Sequence, residues 1–473
     1  MPEIRANLPA IASPLNDGFT LPITKRNYNR QYAPIYYMRL HQLMSQVLDS
    51  ATSKWADKNV KYLNKCLDVL VGDTVFVVGT LFKEMKYKPS MLEEVTRSHW
   101  GAPPGKKPKY VDPQGDESED GGHRDDSSIQ LEDSSGRITL VGPKVQEFML
   151  ITGVVCAVLG TAGENGRFTV VDVVWGGFPE QVHRPLSGVS EDVEMADVAT
   201  SEDTEDKYIC LASGLYIGQK KTDYKHVLLA EYLQGLLDDD SEPSSTSPKA
   251  RNISRLILAG NNCAPESERP VIDTLSRTVD LDAFKPMARV DEYIAQLLPS
   301  MSVDIMAGND DPGNMSLPQQ PLHLSMFPLS RKFKTATFAS VTNPHWWDFS
   351  SEKTPLKVLG TSGQNVSDIY KYLVEGRDDI LDIMEHTLAW RHLCPTAPDT
   401  LTCYPYGEDD PFIIRETPHV YFCGNQDEFQ TSVIHHEGVS VRLVAVPRFD
   451  ETGEVVLVNT RTLKAEVVKV VAE

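Results

Sequence analysis

Between residues 71 and 180 the apolar residues recur with a period of two, in DTVFVVGTLFKEM (73–85), SGRITLVG (135–142), FMLITGVVCAVLGTAG (148–163) and GRFTVVDVVW (166–175). That period puts successive side chains on opposite faces of an extended chain, so these stretches predict strands rather than helices. β-Branched residues dominate them, Gly, Asp and Asn bound them, and Glu164-Asn165-Gly166 supplies a hairpin turn. Several short strands within about a hundred residues suggest a small closed barrel, for which the OB-fold is the common solution at this size. Such a barrel either binds single-stranded nucleic acid or serves as a protein-binding platform. Its strands carry few aromatic and basic residues, which favours the platform.

Beyond residue 207 the pattern changes. The apolar runs YICLAS (208–213), RLILAG (255–260) and VDIMAG (303–308) each end at a short polar or glycine-containing loop. Between them lie two helical patterns, one with Leu229, Leu233, Leu236 and Leu237 on a face, the other with Val290, Ile294, Leu297 and Leu298. Then come KVLGTSGQ (357–364), a helix near 366–391, HVYFCGN (419–425) and the β-rich tail VSVRLVAVPRF and EVVLVNTRTL. Strand–helix alternation with loops at the carboxyl ends of the strands is a layered α/β arrangement, in which ligands sit beyond those ends. With the barrel, the overall class is α+β. The predicted division is an N-terminal arm and helix over 1–50, an OB-fold domain over 51–184, a linker over 185–206 and the layered domain over 207–473.

The formal charge of −21 on 473 residues is concentrated. Residues 111–127, 187–206 and 238–242 carry net charges of −6, −8 and −4, which leaves −3 for everything else. Such stretches bury too little apolar surface to offset chain entropy and are expected to be disordered insertions or linkers. The folded body is close to neutral, so any direct DNA contact is expected to be weak. Seven cysteines without a C-x-x-C pair suggest buried reduced thiols. No apolar run approaches the length of a membrane span and the N-terminus lacks a signal-peptide pattern, so a cytosolic or nuclear protein is expected. The segment TKRNYNRQYAPIYYMRLHQL (24–43) interleaves Lys25, Arg26, Arg30 and Arg39 with four tyrosines, a pattern able to stack bases and contact phosphates. Pro34 breaks any continuous platform there, and the tyrosines are read as packing an arm and helix onto the body.

The strand-end loops hold the informative departures. A two-metal phosphoesterase needs Asp, His and Asn ligands on successive loops so that two cations can clamp the attacking and leaving oxygens. Four loops here have the right order and spacing with the wrong residues. Gly214 and Tyr216 stand where Asp-x-His belongs, and Asn261 with Ala264 replaces Gly-Asp-x-x-Asp. Asn309 is followed by Asp310 in place of His, and Gly424-Asn425-Gln426-Asp427 replaces Gly-His-x-His. Gly214 and Ala264 cannot coordinate through a side chain, so neither a catalytic metal pair nor any other cofactor is expected. Asp310, Asp311 and Asp427 offer at most loose binding of a hard ion. His392 is read as structural. Asn309, Asn365 and Asn425 are expected to tie the loops together by hydrogen bonds where metals once did.

The chain resembles the small, B-type regulatory subunits of eukaryotic DNA polymerase delta. The resemblance lies in GTLFKEM (79–85), AGN (259–261), SLPQQPLH with MFP (316–328), LGTSGQNVSDI (359–369), CPTAPDTLTCYPY (394–406), DPF (410–412) and PHVYFCGN (418–425), in that order, with RQYAPIY (30–36) as lead-in. It covers most of the chain except the acidic tracts. It implies an OB-fold barrel joined to an inactivated calcineurin-like phosphoesterase domain. It also implies a nuclear, noncatalytic scaffold in DNA replication and repair. That scaffold would hold the catalytic subunit, through its C-terminal cysteine-rich domain, to a third accessory subunit, and would serve the catalytic subunit of translesion polymerase zeta in the same way. Two alternatives remain at this point: a residual metal-dependent phosphodiesterase or 3′-exonuclease, and an OB-type single-strand binder.

Overall fold

A computed structural model describes residues 8–58, 60–85, 87–88, 109–111, 127–163, 166–184, 206–219, 224–237, 250–264, 285–349, 355–374, 379–436 and 438–470. The acidic tracts fall almost entirely outside these residues, as do Glu164 and Asn165 of the expected hairpin turn. The chain folds into two compact units. One contains residues 22–180 and 365–417; the other contains 1–21, 181–364 and 418–473. Contacts therefore group residues 1–21 with the layered unit and 365–417 with the barrel, a grouping that cuts across the sequence order.

The first unit opens with helix α1 (Ala33–Lys54) and a barrel of strands β1 (Lys61–Leu63), β2 (Thr74–Glu84), β3 (Ser128–Glu132), β4 (Arg137–Val141), β5 (Val155–Ala162) and β6 (Arg167–Val174). The sheet order β1-β2-β3-β4-β6-β5, with β5 returning to pair with β2, closes a ring of five strands. Four of its pairings are antiparallel, whereas β4 and β6 run parallel. This is the OB arrangement. Strand β1 lies parallel to the first part of β2, through Val75–Val77, and β3 pairs with its second part from Thr80. The sequence pattern located β2, β4, β5 and β6. It missed β3, whose five residues adjoin the acidic stretch.

Helix α1 places Leu40, Leu43, Val47 and Ala51 on one stripe and buries it, with Trp55, against Phe76, Val78, Val155, Ala157 and Leu159. A fully buried Leu or Val contributes about 1.5–3 kcal/mol. Arg39, grouped in the sequence with possible phosphate contacts, is instead completely buried on this helix. Its Nε donates to Asp410 Oδ2 at 2.9 Å, its Nη1 to Gly153 O and Pro395 O, and its Nη2 to Ala397 O. The tyrosines of the arm pack only in part: Tyr28 meets Tyr404 edge-on and the Tyr32 hydroxyl donates to Cys403 O, yet Tyr28, Tyr32 and Tyr37 are exposed.

The layered unit contains β7 (Tyr208–Ala212), α2 (Tyr224–Gln234), β8 (Ile253–Ala259), α3 (Lys285–Leu297), β9 (Ser302–Met306), β10 (Phe338–Val341), β11 (His345–Asp348) and β12 (Lys357–Thr361). The chain then forms α4 (Gln364–Tyr370) and α5 (Ile380–Ala389), nearly all of which belongs to the barrel unit. It returns as β13 (Val420–Gln426), β14 (Gln430–His436), β15 (Val439–Pro447), α6 (Phe449–Thr452), β16 (Glu454–Asn459) and β17 (Ala465–Lys469). A six-stranded sheet, β10-β9-β8-β7-β16-β17, faces a five-stranded sheet, β11-β12-β13-β15-β14. Alternation along the strands fills both sides. Ile209, Leu211 and Ile257 point between the sheets with Val420, Phe422 and Val444. Cys210, Leu256, Leu258 and Val303 point outward to Leu229, Leu233, Val290 and Ile294 of α2 and α3.

Two helix expectations need correction. The single helix near 366–391 is two, and α5 starts afresh with a capping box in which Asp379 and Asp382 satisfy each other's backbone N–H groups. Helix α2 ends at Gln234, so Leu236 and Leu237 lie beyond it and are exposed, whereas Leu229 and Leu233 are fully buried.

Candidate functional site

Strands β7, β8 and β9 run parallel, as do β12, β13 and β15, so the loops following β7, β8, β9, β12 and β13 emerge where a layered α/β unit places its ligand. The loops approach so closely that some positions admit no side chain. A Cβ on Gly308 would stand 2.2 Å from the Asn261 backbone nitrogen. Gly214, at φ +61°, adopts a left-handed conformation, and a Cβ there would meet Asn425 Oδ1 at 3.1 Å.

The first three loops are joined through Tyr216, Asn261 and Asp310. The Tyr216 hydroxyl donates to Asp310 Oδ2 at 2.7 Å and accepts from Asn261 Nδ2 at 3.0 Å. Asn261 Oδ1 accepts the Asp310 backbone N–H at 3.0 Å, which closes the ring of contacts. Tyr216 and Asn261 themselves adopt φ values of +47° and +54°. Burial and the adjacent Asp310 carboxylate raise the phenol's pKa, so Tyr216 is a neutral donor.

Asp311, beside that ring, is buried and accepts N–H groups from Gly308, Asn262 and Cys263 at 2.8–2.9 Å, with the Asn262 amide at 3.1 Å. Burial raises its pKa, and these four donors partly offset the effect. Asn425, at the end of β13, links that strand end to those of β7, β8 and β12. Its Nδ2 donates to Ala259 O at 3.1 Å and Ser362 O at 2.8 Å, and its backbone N–H donates to Ser213 Oγ at 2.8 Å. Asn343 Nδ2 donates to Ser362 Oγ, Gln319 Oε1 and Gln364 Oε1, and Gln319 Nε2 donates to Gly308 O.

The structure thus brings Tyr216, Asn261 and Asp310 into direct contact and sets Gly214 against Asn425. Asp427 is on the rim, paired with Arg448 at 2.6 Å, and Arg448 also holds Glu451. Ala264 is buried and bonds through its backbone N–H to Ile217 O. Of the three asparagines expected to tie the loops, Asn425 does so. Asn309 donates to its neighbour Asp310, and Asn365 Nδ2 serves Leu393 O within the barrel unit. His392 is buried in that same unit. Its Nε2 lies 2.9 Å from Asp410 Oδ2 and its Nδ1 accepts the Cys394 N–H, which makes it a neutral Nε2–H imidazole. Sequence reading missed Asn343, Gln319 and Arg448; only the charge of Arg448 immediately after β15 gave a signal.

Among the described residues no group of three or more His, Cys, Asp and Glu side chains converges as metal ligands. The polar groups at the loops are amides, a phenol and two aspartates engaged with one another and with backbone N–H groups.

Comparison with known proteins defines the class first. Residues 31–173 match the family model of the DNA polymerase delta subunit OB-fold domain, and residues 209–431 match that of the B-type subunits of DNA polymerases alpha and epsilon. The chain is 39% identical over 447 residues to the DNA polymerase delta small subunit of Arabidopsis thaliana, covering 93% of this chain and 92% of that one. It is 34% identical over 490 residues to the Saccharomyces cerevisiae small subunit, covering 96% and 92%. With DNA polymerase delta subunit 2 of Drosophila melanogaster it shares 34% over 450 residues, covering 93% and 94%. The chain belongs to the family of DNA polymerase delta small subunits. No helix among the described residues is long and apolar enough to cross a membrane.

Proposed function

We propose that this chain is a noncatalytic, nuclear scaffold that joins the catalytic subunit of DNA polymerase delta, through that subunit's C-terminal cysteine-rich domain, to a third accessory subunit. In this reading the layered unit descends from a calcineurin-like phosphoesterase whose metal positions, Gly214, Tyr216, Asn261, Ala264, Asn309, Asp310, Asn425 and Asp427, no longer hold ions. The observation that carries it is the Tyr216 hydroxyl bonded to both Asn261 and Asp310. The phenol proton engages Asp310 Oδ2 and the Asp310 N–H engages Asn261 Oδ1, oxygens whose lone pairs a cation would need.

The test has two arms. Purified chain incubated with Mn²⁺ and labelled single-stranded DNA leaves the DNA intact, and co-expression with the catalytic and third subunits yields one complex. Robust cleavage that is lost in Asp310→Ala, or failure of the wild-type chain to assemble, overturns the proposal.

A further inference from the structure

The two sheets of the layered unit are unequal, six strands against five. The shortfall lies at the end where β14 and β17 form the edges. Strand β14 pairs with β15 along its whole length, from Gln430 opposite Ala445 to His436 opposite Val439. Its other edge pairs with no described strand.

Natural sheets blunt such edges with charges, proline, short length or a covering segment. The remaining edges of this unit follow that rule. Strands β10 and β11 have four residues each, and Ile11 bridges to Asp348 on β11. Strand β17 carries Glu466 and Lys469, which pair with Lys464 and Glu454. Strand β14 reads QTSVIHH, seven residues with no Lys, Arg, Asp, Glu or Pro.

A second observation points to the same place. On β17, Val467 is opposite Val456, and Val456 packs between the sheets. Val467 therefore faces the inter-sheet side, yet it is 43% exposed, while Ala465 two residues earlier on the same face is buried in that core. A sixth strand laid against β14 would extend the shorter sheet over β17 and cover Val467.

The geometry points to the open edge of β14 as the docking site for an extended segment of a different polypeptide, bound by β-strand addition, with an apolar side chain placed over Val467. The exposed Glu428 at the start of β14 favours a segment with Lys or Arg at the matching end, which the β14 of a second copy, QTSVIHH, does not offer. The inference rests on the scaffold reading and assigns one of its partner-binding surfaces.

Hydrogen exchange on the full chain, alone and in complex with co-expressed catalytic and third subunits, reads the edge directly. Exchange at 430–436 is expected to slow at least about tenfold in the complex. Val467→Glu should leave the chain's own melting temperature unchanged and weaken assembly about tenfold, whereas the equally exposed Val171→Glu on β6 should not. Unchanged exchange at 430–436 in a complex that does form, or wild-type assembly by Val467→Glu, overturns the edge proposal and leaves the scaffold reading intact. Protection that instead grows with the concentration of the isolated chain assigns the edge to self-pairing and also overturns it. A wild-type chain that fails to assemble overturns both.

Discussion

The Tyr216 hydroxyl donates to Asp310 Oδ2 at 2.7 Å, across the ends of two parallel strands and 94 residues apart in sequence. The same oxygen accepts from Asn261, so removing it strands an amide and a carboxylate together. A buried polar group left without its partner costs about 1–3 kcal/mol. Tyr216→Phe, which keeps the ring, should therefore lower stability by about that amount in a denaturant melt.

Asn425 and Asn309 separate cross-linking from mere survival of a motif. Asn425→Ala removes two donors that tie the loops after β8 and β12, and it places alanine at φ +57°, a conformation asparagine tolerates better. A loss of about 1–3 kcal/mol is expected. Asn309 bonds only to its neighbour among the described contacts, so Asn309→Ala should change stability by no more than about 0.5 kcal/mol. Equal effects in parallel thermal melts would contradict this account.

Arg39 is the polar centre of the barrel unit. Burial alone would raise the Asp410 carboxyl, but His392 and Arg39 beside it hold it well below the usual carboxylate range. His392, by contrast, is pushed down to about 4 by burial and by Arg39, and Asp410 only partly offsets this. Arg39→Met leaves a buried carboxylate without its permanent cation and frees three carbonyls from their donor. The expected cost is about 3–5 kcal/mol, measured by urea unfolding.

Acid should destabilise the layered unit through its buried histidines. His419 is held down to about 4, chiefly by burial, from an ordinary value of 6.5, and burial holds His345 at about 3. Both folded values lie below the unfolded ones, so their contribution is fully present above pH 6.5. It is lost as the pH falls toward the folded values, because the unfolded chain takes up protons first. His419 Nδ1 accepts the Lys357 N–H and its Nε2 contacts Val182 O, two bonds that a glutamine amide can approximate. Urea melts at pH 7 and pH 5 should show a smaller difference in His419→Gln than in the wild type.

Much of this was legible in the sequence where burial imposes a period. The period of two expected over 71–180 holds in β6, which has one exposed face, whereas β2 and β5, like β7, β8 and β9, are near-continuous apolar runs because both of their faces are covered. Pairing order was not legible. Nothing local indicates that β16, near the C-terminus, lies beside β7, some 250 residues earlier. The split of α4 from α5 carried a readable signal, the aspartates at 379 and 382, which a general helical pattern obscured. At the loops the sequence singled out Tyr216, Asn261 and Asp310 by position. It could not reveal that Tyr216, standing at one of those positions, would bond to the residues at two others, since that depends on three loops meeting in space.

The central claim is that hydrogen bonds, rather than cations, hold the strand-end loops. The most direct measurement is the melting temperature of the full chain after exhaustive EDTA treatment and again with Mn²⁺ added back. The account predicts the same value in both, with Tyr216→Phe and Asn425→Ala shifted down equally under either condition. A melting temperature that collapses on chelation and is restored by Mn²⁺ in the wild type, but not in Asp310→Ala, would contradict it.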